Sequence, residues 1–204
     1  MDQPTPGARA ALRARLRSGP LGRRVAQLDL RLYHAIRRDL HVPHLVAPVR
    51  EFSATGEHAA VWLGIGGIGT ILDARHRGEW ARATAAVGVA YLLNTAIKNA
   101  IGRRRPAIEG LPQLMATPTG LSFPSAHASS SFAAAYAFSP LLPPTPLYAG
   151  ATAMAVSRVY LGVHYPSDIA AGALLGTLVA RTVSPRGGRR ARSSTPAGAD
   201  RSST

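Results

Sequence analysis

The chain has 204 residues, room for one domain with a substantial core and too little for two. Basic residues number 24 against 10 acidic, a formal charge of +14, and every basic residue except Lys98 is Arg. There is no Cys, which excludes disulfide scaffolds and Cys-based zinc, iron–sulfur or thiol chemistry.

The charge sits at the ends. Residues 1–50 carry ten Arg and three acids, and residues 184–204 carry five Arg and one acid, leaving a net +3 for everything between. From Gly110 to Ser157 run 48 residues without Asp, Glu, Lys or Arg. A soluble domain normally places charges on its exposed faces over such a length, so the pattern points to lipid. Arg-rich flanks beside apolar spans act as orientation signals and as contacts for an anionic membrane surface. No recognition motif for nucleic acid accompanies them, so nucleic-acid binding is set aside.

Residues 1–20 mix Pro, Gly, Ala and Arg without periodicity and read as a disordered basic N-terminus, with no apolar core of a signal peptide. In residues 21–40 the apolar positions Leu21, Val25, Leu28, Leu32, Ile36 and Leu40 recur at steps of three and four, with Arg23, Arg24, Arg31, Arg37 and Arg38 mainly between them. This predicts an amphipathic helix lying in a membrane interface. A helix packed on a soluble core fits the same periodicity. His41–Glu57, with Pro43 and Pro48, reads as a short broken connection.

Five apolar runs follow: His58–Leu72, Ala83–Ile97, Ala128–Leu142, Leu147–Val156 and Ile169–Ala180. Each is shorter than the ~20 residues that cross a bilayer core, so they must extend into polar flanks. In series they predict an all-α, multi-pass transmembrane helical bundle of about five spans over residues 58–183, preceded by the interfacial helix and followed by a disordered basic tail, 184–204. Gly172 and Gly176 form a GxxxG pair suited to close helix packing. Arg75, Arg77 and Arg82 mark the link between the first two spans as cytoplasmic. The Lys98–Ser125 and Tyr160–Pro166 connections then lie on the outer face, and so does the Arg-rich N-terminus, against the same rule.

Three clusters fall at the outer ends of the spans: Lys98 with Arg103, Arg104, Arg105 and Pro106; Pro124, Ser125, Ala126 and His127; and Ser157, Arg158, His164 and Asp168. Their chemistry suits a phosphate ester. Ionisable groups at membrane depth are functional candidates. Guanidinium forks match phosphate oxygens in pairs, and Lys adds a point charge. Ser125 would cap a helix whose first amides, at Ala126 and His127, attract an anion. A neutral imidazole oriented by a carboxylate can attack phosphorus, and a second His can protonate the leaving oxygen. Alone, each cluster has a plainer reading: a loop-end anchor for Arg103–Arg105, a helix-start residue for His127, a dipole-favoured charge for Asp168. His34, His41, His44, His58 and His76 lack such company and read as structural or surface residues. No His/Asp/Glu grouping has metal-ligand spacing, so no metal or other cofactor is expected.

At these residues the chain resembles the type 2 phosphatidic acid phosphatase (PAP2) superfamily, whose motifs are KxxxxxxRP, PSGH and SRxxxxxHxxxD. Here they read from Lys98 to Pro106, as PSAH from Pro124 to His127, and from Ser157 to Asp168, in order and with full spacing. One position departs: Ala126 stands where the family usually has Gly, keeping the backbone N–H and adding a methyl group. The resemblance implies that His164 is the nucleophile and forms a phosphohistidine, Asp168 orients it, and His127 serves the leaving group and then the water. Lys98, Arg105, Ser125, the Ala126 amide and Arg158 would hold the phosphoryl oxygens, without metal. It implies a lipid phosphate or diphosphate phosphatase of the bacterial inner membrane with its site at the outer face. Polyprenyl phosphates and diphosphates come first as substrates, then phosphatidylglycerophosphate and phosphatidate. A lipid-linked phosphotransferase on the same scaffold and a non-catalytic membrane anchor stand as alternatives.

Overall fold

The computed structural model describes residues 19–185. The proposed disordered segments therefore lie almost entirely outside the described residues. Seven α-helices follow one another within them: α1 (Pro20–His34), α2 (Val46–Ala54), α3 (Ala60–Leu72), α4 (Arg77–Ile101), α5 (Ala126–Phe138), α6 (Pro144–Tyr160) and α7 (Pro166–Val183). The last five match the five predicted apolar runs in order.

α5 is the central helix and packs against α4, α6 and α7. Ten of its 13 residues are buried, among them Ser129, Ser130 and Ser131. Small side chains permit this. Ala133, Ala134, Ala135 and Ala137 share one buried apolar cluster with Ala83, Ala86, Val87 and Ala90 of α4, in which Trp62, Trp80 and Phe138 are the large members. The buried hydroxyls are used: Trp62 Nε1 donates to Ser131 Oγ at 2.8 Å, and Asn94 Nδ2 donates to Ser129 Oγ at 2.9 Å. Much of the charge-free run is thus covered by protein rather than by lipid. Exposed apolar side chains sit instead on the outer faces: Ile68, Ile71 and Leu72 of α3, Leu92 and Leu93 of α4, Val156 of α6, Leu174 and Leu178 of α7. None of the helices among the described residues is long and apolar enough to cross a membrane. α3 and α5 have 13 residues each, about 20 Å of helix.

Two expectations for residues 21–57 need correction. The α-helix ends at His34 and widens into a π-turn over Ala35–Asp39. Its predicted apolar stripe does not face the bundle: Leu21, Val25, Leu28, Leu32 and Leu40 are exposed, while Asp29, Tyr33 and Arg37 are buried. The soluble-core reading of that stripe is therefore overturned; a polar line one step around the helix makes the contacts. Residues 46–54 form a helix rather than a broken connection. Pro48 is tolerated because it falls in the first turn, where backbone N–H groups have no intrahelical partner.

Candidate active site

The helices alternate in direction, so the C-terminal ends of α4 and α6 share one end of the bundle with the N-terminal ends of α5 and α7. This gathers the three sequence clusters. α4 brings Lys98 in its last turn and stops at Gly102, which takes a left-handed conformation, φ 63°. The following loop is pinned by Ser122 N donating to Arg103 O at 2.8 Å and Arg105 N donating to Gly120 O at 3.1 Å. Ser125 is the N-cap of α5, as expected, and accepts from Ala128 N at 3.4 Å. Pro166 opens α7, and the Asp168 carboxylate reaches back to accept from Tyr165 N at 2.8 Å. Asp168 therefore caps its helix and also faces the site.

A cavity of about 180 Å³ lies at this end. Lys98, Arg105, Ala126, His127, Arg158 and His164 line it, together with Glu57, His58, Tyr91, Thr95, Asn99, Pro118 and Thr119. The volume is below that of pockets that engulf a drug-sized ligand, ~300 Å³ and above, so it suits a headgroup. Six of the eight predicted site residues line the cavity; Ser125 and Asp168 lie behind it, both fully buried.

His164 stands 3.5 Å, Nδ1 to Oδ2, from Asp168, close but without hydrogen-bond geometry. On its other side Arg105 Nη1 lies 3.2 Å from Nε2. A guanidinium only donates, so Nε2 carries the lone pair and Nδ1 the proton, facing the carboxylate. Burial holds His164 well below the usual imidazole pKa, and Arg105, Arg158 and Lys98 push it the same way. The ring is therefore neutral, with its lone pair on Nε2. Burial also lowers Arg105, to about 10, partly offset by Asp168, so it stays cationic at neutral pH. Arg105 is braced by donating from Nη1 to Val163 O at 2.7 Å and from Nε to Thr119 O at 2.8 Å.

α2 supplies partners that the sequence did not announce. The Ser53 carbonyl accepts from His127 Nε2 at 3.0 Å, leaving Nδ1 as the ring nitrogen for proton exchange. Ser53 Oγ accepts from Arg158 Nη1 at 2.7 Å. Arg158 is 2% exposed, and its Nε is buried without a hydrogen-bond partner among the described residues, a donor open to an anion. Lys98 is buried with no ion-pair partner among the described residues. Glu57 and His58 also escaped the sequence reading, which left His58 as a structural or surface residue. His58 and Ala59 both take left-handed backbone, φ 52° and 61°, which is strained for residues with a side chain and recurs at functional sites. Arg103 of the first cluster turns away from the cavity toward Asp168, and Ser157 of the third spends its hydroxyl on the Met154 carbonyl.

The chain is similar in sequence and in fold to known phosphatases. Decaprenylphosphoryl-5-phosphoribose phosphatase of Mycobacterium tuberculosis is 41% identical over 159 residues, 74% of this chain and 85% of that protein. The protein of the same description from Mycolicibacterium smegmatis is 35% identical over 64% of this chain and 72% of its own length. The crystal structure of Aquifex aeolicus LpxE matches with a TM-score of 0.67 at 25% identity, over 76% of this chain and 94% of that one. A transmembrane PAP2 type phosphatidylglycerolphosphate phosphatase from Bacillus subtilis matches in fold with a TM-score of 0.66 at 24% identity, over 86% of this chain and 90% of that one. The model of the PAP2 superfamily matches residues 79–191, more than half of the chain. A cationic cavity with two histidines, built from these helix ends, and this sequence match lead to one conclusion: the chain belongs to the PAP2 superfamily, and it is a phosphatase.

Proposed function

We propose that this phosphatase removes the terminal phosphate from a polyprenyl-linked phosphate in the bacterial inner membrane. A polyprenylphosphoryl pentose phosphate is the preferred substrate, ahead of polyprenyl diphosphates, phosphatidylglycerophosphate and phosphatidate. The observation that carries the reading is the neutral His164 Nε2 beside three cations, Lys98, Arg105 and Arg158, in a headgroup-sized cavity. The choice of lipid rests on the relatives that act on decaprenylphosphoryl-5-phosphoribose.

In this mechanism Lys98, Arg105 and Arg158 hold the non-bridging oxygens, and Ser125, as N-cap, presents the Ala126 amide to them. Arg105 leaves Nε2 for the phosphate when substrate enters. The Nε2 lone pair forms the N–P bond as the P–O bond to the leaving group breaks. Asp168 stabilises the imidazolium of His164, and His127, entering the step as imidazolium, gives its Nδ1 proton to the leaving oxygen while its Nε2–H stays on the Ser53 carbonyl. Water then attacks phosphohistidine with His127 as base, releasing inorganic phosphate. No step calls on a metal ion.

Membrane embedding is supported by the apolar outer faces of α3, α4, α6 and α7 and by the exposed stripe of α1. Arg75, Arg77, Arg82 and Arg181 gather at the end opposite the site, which supports placing the site at the outer face. The arginines of α1 are then assigned to headgroups of the outer interface.

The test is phosphate release by detergent-solubilised protein in EDTA, from decaprenylphosphoryl 5-phosphoribose, a polyprenyl diphosphate, a polyprenyl monophosphate, phosphatidylglycerophosphate and phosphatidate. The expected result is fastest release from the phosphoribosyl lipid, lost in His164→Ala. Release that survives His164→Ala overturns the nucleophile. Transfer to an added alcohol in place of release favours the phosphotransferase.

A further inference from the structure

α1 lies ahead of the residues matched by the family model, 79–191, yet it reaches the catalytic dyad. Asp29 is 2% exposed. Its Oδ1 accepts from Ser167 N at 2.8 Å, and its Oδ2 accepts from Ser167 Oγ at 2.6 Å and from Arg103 Nη2 at 2.8 Å. Arg103 Nη1 donates to Asp168 Oδ1 at 2.8 Å, and its guanidinium lies 4.2 Å over the Tyr165 ring. Asp168 Oδ2, the other oxygen, faces His164 Nδ1 at 3.5 Å. The chain of contacts runs Asp29, Arg103, Asp168, His164.

The charges along it decide its purpose. A lone Arg103–Asp168 pair would be neutral, and the guanidinium would take up most of the field that Asp168 needs at His164. Two carboxylates sharing one guanidinium leave one net negative charge beside the imidazole. When Nε2 forms its bond to phosphorus, the ring keeps the Nδ1 proton and becomes cationic. That charge arises within a shell already holding Lys98, Arg105 and Arg158, so the remaining negative charge matters most at that moment.

We infer that Asp29 is a positioning residue for the phosphatase reaction: by sharing Arg103 it leaves Asp168 free to stabilise the His164 imidazolium, and it makes α1 part of the site. This rests on His164 being the nucleophile. The same helix turns its Leu21, Leu28 and Leu32 outward, so one element carries both the interface stripe and the site carboxylate.

The test uses Asp29→Asn, Arg103→Gln and the double variant in the full chain, with wild type and His164→Ala beside them. The Asp29→Asn amide keeps a carbonyl oxygen to accept from Ser167 N but carries no negative charge. Asp29→Asn is expected to lower kcat by about tenfold or more with KM nearly unchanged, the scale on which outer partners of active-site groups act. Arg103→Gln should cost less than Asp29→Asn. In the double variant, the net charge beside His164 returns to minus one, and kcat should recover above that of Asp29→Asn. A purely structural role predicts a double variant no better than the worse single one, and that result overturns the inference, as does an Asp29→Asn enzyme with unchanged kcat. Turnover is read on decaprenylphosphoryl 5-phosphoribose. Phosphorylation of His164 by phosphoramidate, a lipid-free donor that loses ammonia, is read in parallel by peptide mass spectrometry. Wild type that is inert toward the lipid but labelled at His164 refutes the substrate reading alone, and the order of the variants in labelling still decides the role of Asp29.

Discussion

α7 lies against α5 so closely that a single methyl group distinguishes two kinds of glycine. A Cβ built on Gly176 would fall 2.0 Å from the Ser129 carbonyl oxygen, 1.4 Å short of ordinary contact at 3.4 Å, and the obstacle is backbone that no rotamer change can clear. On Gly172 it would fall 2.5 Å from the Ser125 carbonyl oxygen. Gly176→Ala must therefore spread the two helices, at the ~1–3 kcal/mol typical of overpacking. For a domain of this size that lowers Tm by ~2–4 °C per kcal/mol. Gly64 and Gly67 of α3 meet nothing within 4 Å, so Ala there should leave stability unchanged or raise it by up to ~1 kcal/mol. Thermal unfolding of the purified protein in detergent, followed by circular dichroism, measures both signs. Gly172→Ala should lose more activity per degree of Tm than Gly176→Ala, because it presses on the residue that caps α5 and sets Ala126 in the cavity wall. If Gly176→Ala melts with wild type, α5 and α7 are not packed at this distance and the reasoning fails.

Other outcomes follow from the site. Ser53→Ala removes the oxygen acceptor of a buried guanidinium, leaving Nη1 the weaker Met115 sulfur, but keeps the carbonyl that holds His127, so it should raise KM and cost ~1–3 kcal/mol of stability while leaving the pH profile of kcat in place. His127→Ala should lower kcat/KM, which stops at formation of the phosphoenzyme and so leaves out the water step, by ~10²–10⁴ for an alkyl phosphate and far less for p-nitrophenyl phosphate, whose leaving oxygen needs no proton; equal losses of kcat/KM on both refute the acid role. Because the folded pKa of His164 is depressed, the unfolded chain binds a proton first as pH falls below about 6.5. The stability that follows from His164 staying neutral is full above that pH and is lost as pH falls toward the folded value, whereas the His164 ring remains unprotonated in the folded enzyme. His164→Asn should show a flatter decline of Tm between about pH 6.5 and 5 than wild type, read by thermal melts across that range.

The residues proposed to carry the chemistry were legible because their geometry is local. His164 and Asp168 are four residues apart at the start of α7, and Ser125 to His127 open α5, so spacing alone brings each set together. The five bundle helices were legible for the same reason: an apolar run bounded by Pro, Gly or charge is a statement about neighbours in sequence. Two patterns did not by themselves say what covers the apolar surface, because burial can come from more than one source. The uncharged run around α5 pointed to lipid, and the structure covers most of that helix with other helices. The periodicity of α1 marked its leucines, and the contacts are made by Asp29, Tyr33 and Arg37.

What only the tertiary structure decided are the partners from far away. Asp29 meets Ser167 across 138 residues and Arg103 across 74, and Ser53 meets Arg158 across 105. Such pairs leave no periodicity, because they depend on which helix ends the bundle brings side by side. By itself the sequence determined which groups could hold and attack a phosphate, since motif spacing and helix pitch are properties of a single segment. The packing of segments determined which groups hold those groups in place, since a buried charge selects its partner by distance in space.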